Sequence, residues 1–411
     1  MQIYMCETQI TAQSGSHVQI FKNHFSFRHI RTSDLLSIIM GCSASKDGQD
    51  PSVDNATYLS HDFNVRWDLD LSEKNKLGEG GFSDVYRVKS KRDGSEYAVK
   101  IMEKAGMHKD DVESVYEEVR IMKLLQHPNI VKFIDFFDEG GKMYVVLEFL
   151  QGGALFDRVV ERSKYSEGDA RDLIYIFLTT LKFCHDHDIV HRDIKPENLL
   201  LASESNDFDV KIADFGLSAH VPKGKTLQQV CGTPQYLAPE MLGKNVAYSK
   251  PVDMWAVGCI AFILLGGYQP FDDPNDNLKE IYNQIRKGKF EFKYGFKRVS
   301  NEAKELIRAL LTVNPQERMT VEQALAHPWV TRAKSELAAR NLEESLVSFQ
   351  KFFGKRKFKG AVKGIIAANR MKKLLGGARS AAAEDAKTGT DTSAKTGETS
   401  EKEISVELTE P

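Results

Sequence analysis

The chain has 411 residues, 41% apolar and 28% charged, with a formal net charge of -2. That length allows roughly two or three domain-sized units with a sizeable core, and the near-neutral balance gives no general affinity for nucleic acid. Five cysteines without CxxC spacing argue against a zinc site or a disulfide framework and for a reducing compartment, and no apolar run approaches the roughly 20 residues of a bilayer-spanning helix.

Residues 1–66 lack sustained periodicity and carry Ser, Asn, Asp and His clusters, so they read as a mostly disordered N-terminal extension. Within them, Met40-Gly41-Cys42-Ser43-Ala44-Ser45 fits the N-myristoylation pattern, with Gly41 acylated and Cys42 open to palmitoylation. That pattern needs an N-terminal glycine and therefore predicts translation from Met40. The expected location is cytoplasmic, and membrane-associated if Met40 is the start. One acyl chain holds weakly, so Cys42 or a basic segment would supply a second signal. The alternative is a targeting peptide over 1–39. There only Lys22, Arg28 and Arg31 are basic, and no cleavage pattern is evident.

Residues 67–330 alternate strand-like and helix-like runs. Gly78-Glu79-Gly80-Gly81-Phe82-Ser83-Asp84-Val85 is a glycine-rich turn between two of the strands. Such a backbone can pass close over phosphates with no Cβ in the way. Alone, the pattern equally describes a hairpin turn, and no Gly-Lys-Ser/Thr follows to make it a P-loop. Tyr97-Ala98-Val99-Lys100 then sets one lysine on the next strand. By itself this would be a solvated surface group. Val115, Val119, Met122 and Leu125 recur at helical spacing and predict a helix over about 111–125. Glu118 borders its apolar face and is preferred as the partner of Lys100, with Glu117 the rival. Residues 143–150 read as a buried strand ending at Glu148, Phe149 and Leu150.

His191 to Asn198 read HRDIKPEN, and Asp214-Phe215-Gly216 follow. Asp193 can accept the proton of an attacking hydroxyl, Lys195 can stabilise a transferring phosphoryl group, and Asn198 and Asp214 can hold magnesium ions on the phosphates. Together with the glycine-rich turn and Lys100, in this order, these motifs resemble the eukaryotic protein kinases over residues 71–330. The resemblance implies an α+β, bilobal fold, with an antiparallel-sheet small lobe over 67–150 and a helical large lobe over 151–330. ATP and Mg2+ would lie in the cleft. ATP would contact the Gly78–Val85 turn, Ala98, Lys100 and the backbone at Glu148 and Leu150, with Glu118 holding Lys100. Thr233-Pro234 and Ala238-Pro239-Glu240 resemble the end of an activation segment. Asp253 and Trp255 stand on the buried helix that orients the catalytic loop, and Arg318 stands as the partner of Glu240. Lys195, with the Thr233 hydroxyl bonded to Asp193, implies protein substrates phosphorylated on Ser or Thr. Two other readings are an inactive scaffold of the same fold, which usually lacks one of Lys100, Asp193, Asn198 or Asp214, and a small-molecule kinase, which fits poorly with the Thr233–Glu240 segment.

Within that family the chain resembles the calcium/calmodulin-dependent protein kinases. Ser83, Leu155-Phe156-Asp157-Arg158, Cys231-Gly232-Thr233-Pro234 and His327-Pro328-Trp329 carry the likeness. Two positions depart from the group. Ala154 replaces the glutamate that receives a substrate arginine, with Glu197 the remaining acidic contact, which weakens the expectation of basic substrates. Gln229 stands where such enzymes often carry an activating phosphothreonine, so activation there by an upstream kinase is not expected.

Over 331–375, Leu337, Leu342, Leu346, Phe349 and Phe353 form a helical stripe. It reads as a helix packed on the large lobe and, by resemblance, as an autoinhibitory helix near the substrate groove. Residues 351–373 hold nine Lys or Arg and no acid. Phe358, Val362, Ile365 and Met371 give this basic stretch a bulky anchor near each end, the pattern of a calmodulin-binding helix. Gly354, Gly360 and Gly364 each cost a helix roughly 1 kcal/mol against alanine, so the free segment is expected to order on binding. No EF-hand loop is present, and calcium sensing must come from a partner. The rival reading is a basic patch that binds membrane. Residues 376–411 have almost no large apolar side chains and are expected to be disordered.

Overall fold

β-branched and aromatic residues in alternation build the first lobe. The computed structural model describes residues 62–79 and 83–354. Gly41, Cys42, Gly80, Gly81, Phe82, Phe358, Val362, Ile365 and Met371 lie outside the described residues. The first lobe comprises α1 (Phe63–Arg66), β1 (Trp67–Leu69), β2 (Lys76–Glu79), β3 (Ser83–Ser90), β4 (Glu96–Glu103), α2 (Lys109–Leu124), β5 (Phe133–Glu139) and β6 (Lys142–Glu148). The strands form one antiparallel sheet in the order β1-β3-β4-β6-β5, with β2 also paired to β3.

Successive side chains of a strand face opposite sides, and β4 puts this to use. Val99 and Ile101 join an outer cluster with Phe63, Trp67, Val88 and Val146. Met102 packs on the other face with Val115 and Val119 of α2. The same alternation turns Lys100 towards α2. That helix starts at His108, whose N–H donates to the Asp111 carboxylate at 2.9 Å, and Asp110 and Asp111 suit the positive end of the helix dipole.

The lobe begins before Trp67. Phe63 is fully buried, stacks on Tyr144 at 4.2 Å between centroids, and donates its N–H to Glu139 Oε1 at 2.9 Å. One aromatic in a polar stretch leaves no periodic signal, so the expected boundary at 67 falls a few residues late.

The second lobe contains α3 (Leu155–Glu161), α4 (Glu167–Asp186), β7 (Ile189–Val190), β8 (Leu199–Leu201), β9 (Val210–Ile212), β10 (Ala219–His220), α5 (Pro251–Gly266), α6 (Leu278–Lys287), α7 (Asn301–Leu310), α8 (Val321–Leu325), α9 (Pro328–Thr331), α10 (Lys334–Ala338) and a helix over 343–354, here α11. α5 is buried from Val252 to Gly266 and forms the axis of the lobe. Its neighbours are tied together by Glu167, a fully buried carboxylate. It accepts the Ser300 N–H at 3.0 Å, the Ser300 hydroxyl, and the Trp329 indole N–H at 2.7 Å. Such a charge is tolerated in a core because several donors satisfy it.

The core also runs past residue 330. Leu337, Leu342, Leu346, Phe349 and Phe353 belong to the same buried cluster as α4 and α5. Phe349 stacks on Phe156 at 5.5 Å and on Phe353 at 4.6 Å. Ser345 Oγ donates to Gly295 O at 2.7 Å, and Gln350 Nε2 to Val160 O at 2.9 Å. The apolar stripe is therefore packed on the large lobe as expected, but as two helices rather than one: Leu337 lies in α10 and Leu346, Phe349 and Phe353 in α11. The helix breaks between them, where Arg340 O accepts the Glu167 N–H at 3.0 Å and the Leu342 N–H donates to Tyr165 O at 2.9 Å, and the compact lobe ends beyond Phe353.

Candidate active site

Two groups of polar side chains face each other where the lobes meet. In the first, Lys100 Nζ donates to Glu118 Oε1 at 2.8 Å, to Glu118 Oε2 at 3.0 Å, and to Asp214 Oδ1 at 3.3 Å. Glu118 is 4% exposed. The rival Glu117 instead pairs with Arg120 at 2.6 Å on the outer side of α2. Burial pulls the Lys100 pKa down, but Glu118 and Asp214 outweigh it and hold the ammonium above the ordinary lysine value. Burial raises the Asp214 pKa, and the Lys100 charge more than offsets this, leaving the carboxylate below its ordinary range. Asp214 sits at φ +59°, a left-handed conformation costly for a non-glycine residue. A Cβ on Gly216 would lie 3.2 Å from both Asp214 Oδ1 and Lys100 Nζ, so glycine at 216 leaves room for the ion cluster.

The second group is the loop at His191–Asn198. Asp253, at the start of α5, accepts the N–H groups of His191 and Arg192, each at 2.9 Å, and contacts His185 Nε2 at 2.9 Å. These bonds curl the loop and hold Arg192 at φ +70°. Burial raises the Asp253 pKa, yet His185, His191 and the Arg192 amide bring it below the ordinary value. His191 packs edge-on against Phe215, with 4.7 Å between centroids. Its Nδ1 accepts the Asp193 N–H at 3.3 Å, so Nε2 carries the proton facing Ala213 O, also 3.3 Å away. Burial keeps this ring neutral by lowering its pKa.

Asp193 is the hub of the loop. Its Oδ2 accepts Lys195 Nζ at 2.5 Å and Asn198 Nδ2 at 3.3 Å, and its Oδ1 accepts the Thr233 hydroxyl at 2.8 Å and the Thr233 N–H at 3.1 Å. Asn198 Nδ2 also donates to Asp193 O at 2.9 Å. Gly232 permits the approach of Thr233. It lies at φ +105°, and a Cβ there would sit 2.7 Å from Arg192 O.

The nucleotide-side candidates occupy the sheet beside Lys100. Val85 is the register partner of Lys100, Ala98 of Leu147, and Gly78 and Glu79 of Val85 and Asp84. Ser83 opens β3. Glu148 does more than the expected backbone role. Its N–H donates to Lys132 O at 3.0 Å. Its carboxylate accepts the Lys132 N–H at 2.6 Å and pairs with Lys211 at 2.9 Å, fastening the segment between the lobes. Gln151 and Gly152 donate to Ala202 O and Leu201 O. Leu150, between them and Glu148, makes no such bond among the described residues, which suits it to a ligand.

Arg318 is fully buried and grips Glu240 through two bonds of 2.7 and 2.8 Å, with further bonds to Thr312 O and Pro251 O. This pair braces the lobe and stands away from the reacting groups. Gly216 and Gly232 stand inside the Asp214-Phe215-Gly216 and Cys231-Gly232-Thr233-Pro234 motifs, but the contacts that require a glycine there, with Lys100 and with Arg192, are distant in sequence. No local signal marks Tyr248, whose partners Arg192 and Gln229 are equally remote.

Two lobes joined by Lys100–Glu118–Asp214, with Asp193 opposite, define the protein kinase class, and residues 71–330 match the family described as Protein kinase domain. The chain belongs to that family. It is similar to calcium/calmodulin-dependent protein kinase type II of Caenorhabditis briggsae, 41% identical over 303 residues that cover 74% of this chain and 56% of that protein. The Caenorhabditis elegans protein of the same name is 41% identical over 74% of this chain and 42% of its own length. Calcium/calmodulin-dependent protein kinase type II subunit delta of Oryctolagus cuniculus is 43% identical over 70% of this chain and 54% of its own length. The chain thus spans about half the length of the curated relatives it matches.

Proposed function

We propose that the protein is an ATP-dependent serine/threonine protein kinase, held inactive by its C-terminal segment and released by calcium-loaded calmodulin. The observation that carries the catalytic reading is the Asp193 carboxylate gripped by Lys195, Asn198 and Thr233. That grip aims a base at a substrate hydroxyl. Asp193 takes the proton as the hydroxyl oxygen attacks the γ-phosphorus and the bond to the β-phosphate oxygen breaks. Lys195 faces the charge on the transferring group, and Lys100 faces the α- and β-phosphates.

The donor set suits a divalent cation. Asn198 spends its NH2 on Asp193 O, which leaves the amide oxygen. Lys100 and Gly216 both bond Asp214 Oδ1, which leaves Oδ2. Hard oxygen donors favour Mg2+, and bound Mg2+ would neutralise phosphate charge.

The regulatory reading rests on the basic stretch 351–373, on Phe358, Val362, Ile365 and Met371, and on the names of the relatives. Since α11 is core, the releasable part starts after Gly354. The full chain should be slow without calcium and accelerated by calcium/calmodulin, whereas a chain ending at 354 should be fast under both conditions. Equal calcium-free rates from the two would overturn the autoinhibition. Attachment to membrane through Gly41 and Cys42 is supported by the Met40–Ser45 pattern alone. Intact-mass measurement of the native protein tests it, and an unmodified N-terminus at Met1 would refute it.

A further inference from the structure

Thr233 can meet Asp193 only if the segment from Leu217 to Cys231 holds one shape. Little packing of its own holds it, since residues 222–226 and 228–230 are exposed. Gln229 offers no hydroxyl for a phosphate that Arg192 could grip. Instead, both ends of the segment are tied to one side chain from outside it.

Tyr248 lies just before α5 and is 3% exposed. Its backbone forms a two-bond antiparallel bridge with Leu227, at 2.8 Å and 3.0 Å. Its hydroxyl donates to Gln229 O at 2.5 Å and accepts from Arg192 Nη1 at 3.2 Å. Cys231 Sγ lies 3.9 Å from the same hydroxyl. Arg192 Nε meanwhile donates to Leu217 O. Arg192, next to the catalytic base and with its backbone N–H held by Asp253, thus reaches the start of the segment directly through its guanidinium and the end of the segment through Tyr248.

We propose that Tyr248 is a positioning residue that latches the activation segment to Arg192 and so sets Thr233 against Asp193 without any phosphate. This rests on the kinase reading above. The hydroxyl is suited to the task because it is both donor and acceptor, and the bond from Arg192 is charge-assisted. Burial pushes the phenol up to about 12, so it keeps the proton it gives to Gln229 O. A latch made of a phenol, a guanidinium and backbone carbonyls holds no phosphate for a phosphatase to remove. The activation segment is then a fixed part of the enzyme, and control is left to other elements.

The test uses the full chain with calcium/calmodulin. Tyr248→Phe keeps the ring and removes only the hydroxyl. Hydrogen exchange at the amides of residues 227–231 should quicken roughly tenfold, and kcat/KM for a protein substrate should fall by a similar factor, with the KM for ATP unchanged. Gln229→Ala should change neither, since only the carbonyl at 229 is used. Phosphatase treatment of the wild type should leave its rate unchanged. The exchange measurement does not depend on turnover: faster exchange in an enzyme without kinase activity would support the latch while the kinase reading failed. Exchange and kcat/KM both unchanged in Tyr248→Phe, or loss of wild-type activity on phosphatase treatment, would overturn the proposal.

Discussion

Replacing Phe349 with alanine should cost the large lobe about 3–5 kcal/mol, the range for removing a buried phenylalanine ring. Phe349 is 1% exposed in the main core cluster, and its ring stacks on Phe156 at 5.5 Å and Phe353 at 4.6 Å. Each ring pair contributes about 0.5–1.5 kcal/mol of that loss beyond area burial. At about 2–4 °C per kcal/mol for domains of this order of size, the melting temperature should fall by roughly 6–20 °C. The assay is thermal unfolding of the full chain, with calcium-free activity measured in parallel. A helix that belongs to the core predicts the drop in melting temperature and no gain in calcium-free rate. A detachable regulatory helix predicts the reverse. A melting temperature within about 2 °C of wild type, with raised calcium-free activity, would refute the placement of α11 in the core.

Glu118→Gln removes the charge that holds Lys100 at 2.8 Å and leaves it only Asp214. The turnover number should fall about 10²-fold, the cost of a misplaced group, with little change in melting temperature; an unchanged rate would count against the Lys100–Glu118 pair. Arg318→Met strands the largely buried Glu240 carboxylate and should destabilise by about 3–5 kcal/mol, read as a shifted denaturant midpoint with normal activity per folded molecule. Acid should weaken the fold in two stages. Burial lowers the His191 pKa below 6.5 against the pull of Asp253, Asp193 and Asp214, and burial lowers His127 and His327 likewise. The unfolded chain then binds protons that these rings refuse, so stability is lost as pH falls below about 6.5. Asp253, held below 3.8, adds stability that persists to about pH 3.8 and is lost beneath it. Denaturant midpoints that stay flat from pH 7 to 5 would contradict the first stage.

Local pattern carried the chemistry, and long-range contact carried the rest. Lys100 could be set on the strand after the glycine-rich turn, and helical spacing was enough to prefer Glu118 over Glu117. The HRDIKPEN run held Asp193, Lys195 and Asn198 within one short loop, so their grouping could be read directly. The start of the small lobe could not, because Phe63 gains its importance from Tyr144 and Phe137. Glu167 has an ordinary place at a helix start, and nothing near it announces Ser300, 133 residues on, as its partner. Gly232 and Tyr248 are likewise explained by Arg192, which lies far from both in sequence. The stripe from Leu337 to Phe353 was legible as helical and packed on the large lobe, but its break over 339–342 was not, because that break is fixed by backbone bonds to Tyr165 and Glu167 far away in sequence. Nor was the depth to which it enters the core, because an amphipathic stripe has the same period whether it lies in a groove or closes a core.

The central claim is that Asp193 is the base for phosphoryl transfer from ATP to serine or threonine. Transfer of radiolabel from the γ-position of ATP to Ser, Thr and Tyr peptides tests it directly, with the wild type and Asp193→Asn compared in calcium/calmodulin. The wild type should label Ser and Thr peptides, and Asp193→Asn should lose about 10²–10⁴-fold of that rate while keeping its melting temperature. No transfer by the wild type, transfer to tyrosine alone, or an undiminished rate in Asp193→Asn would contradict it.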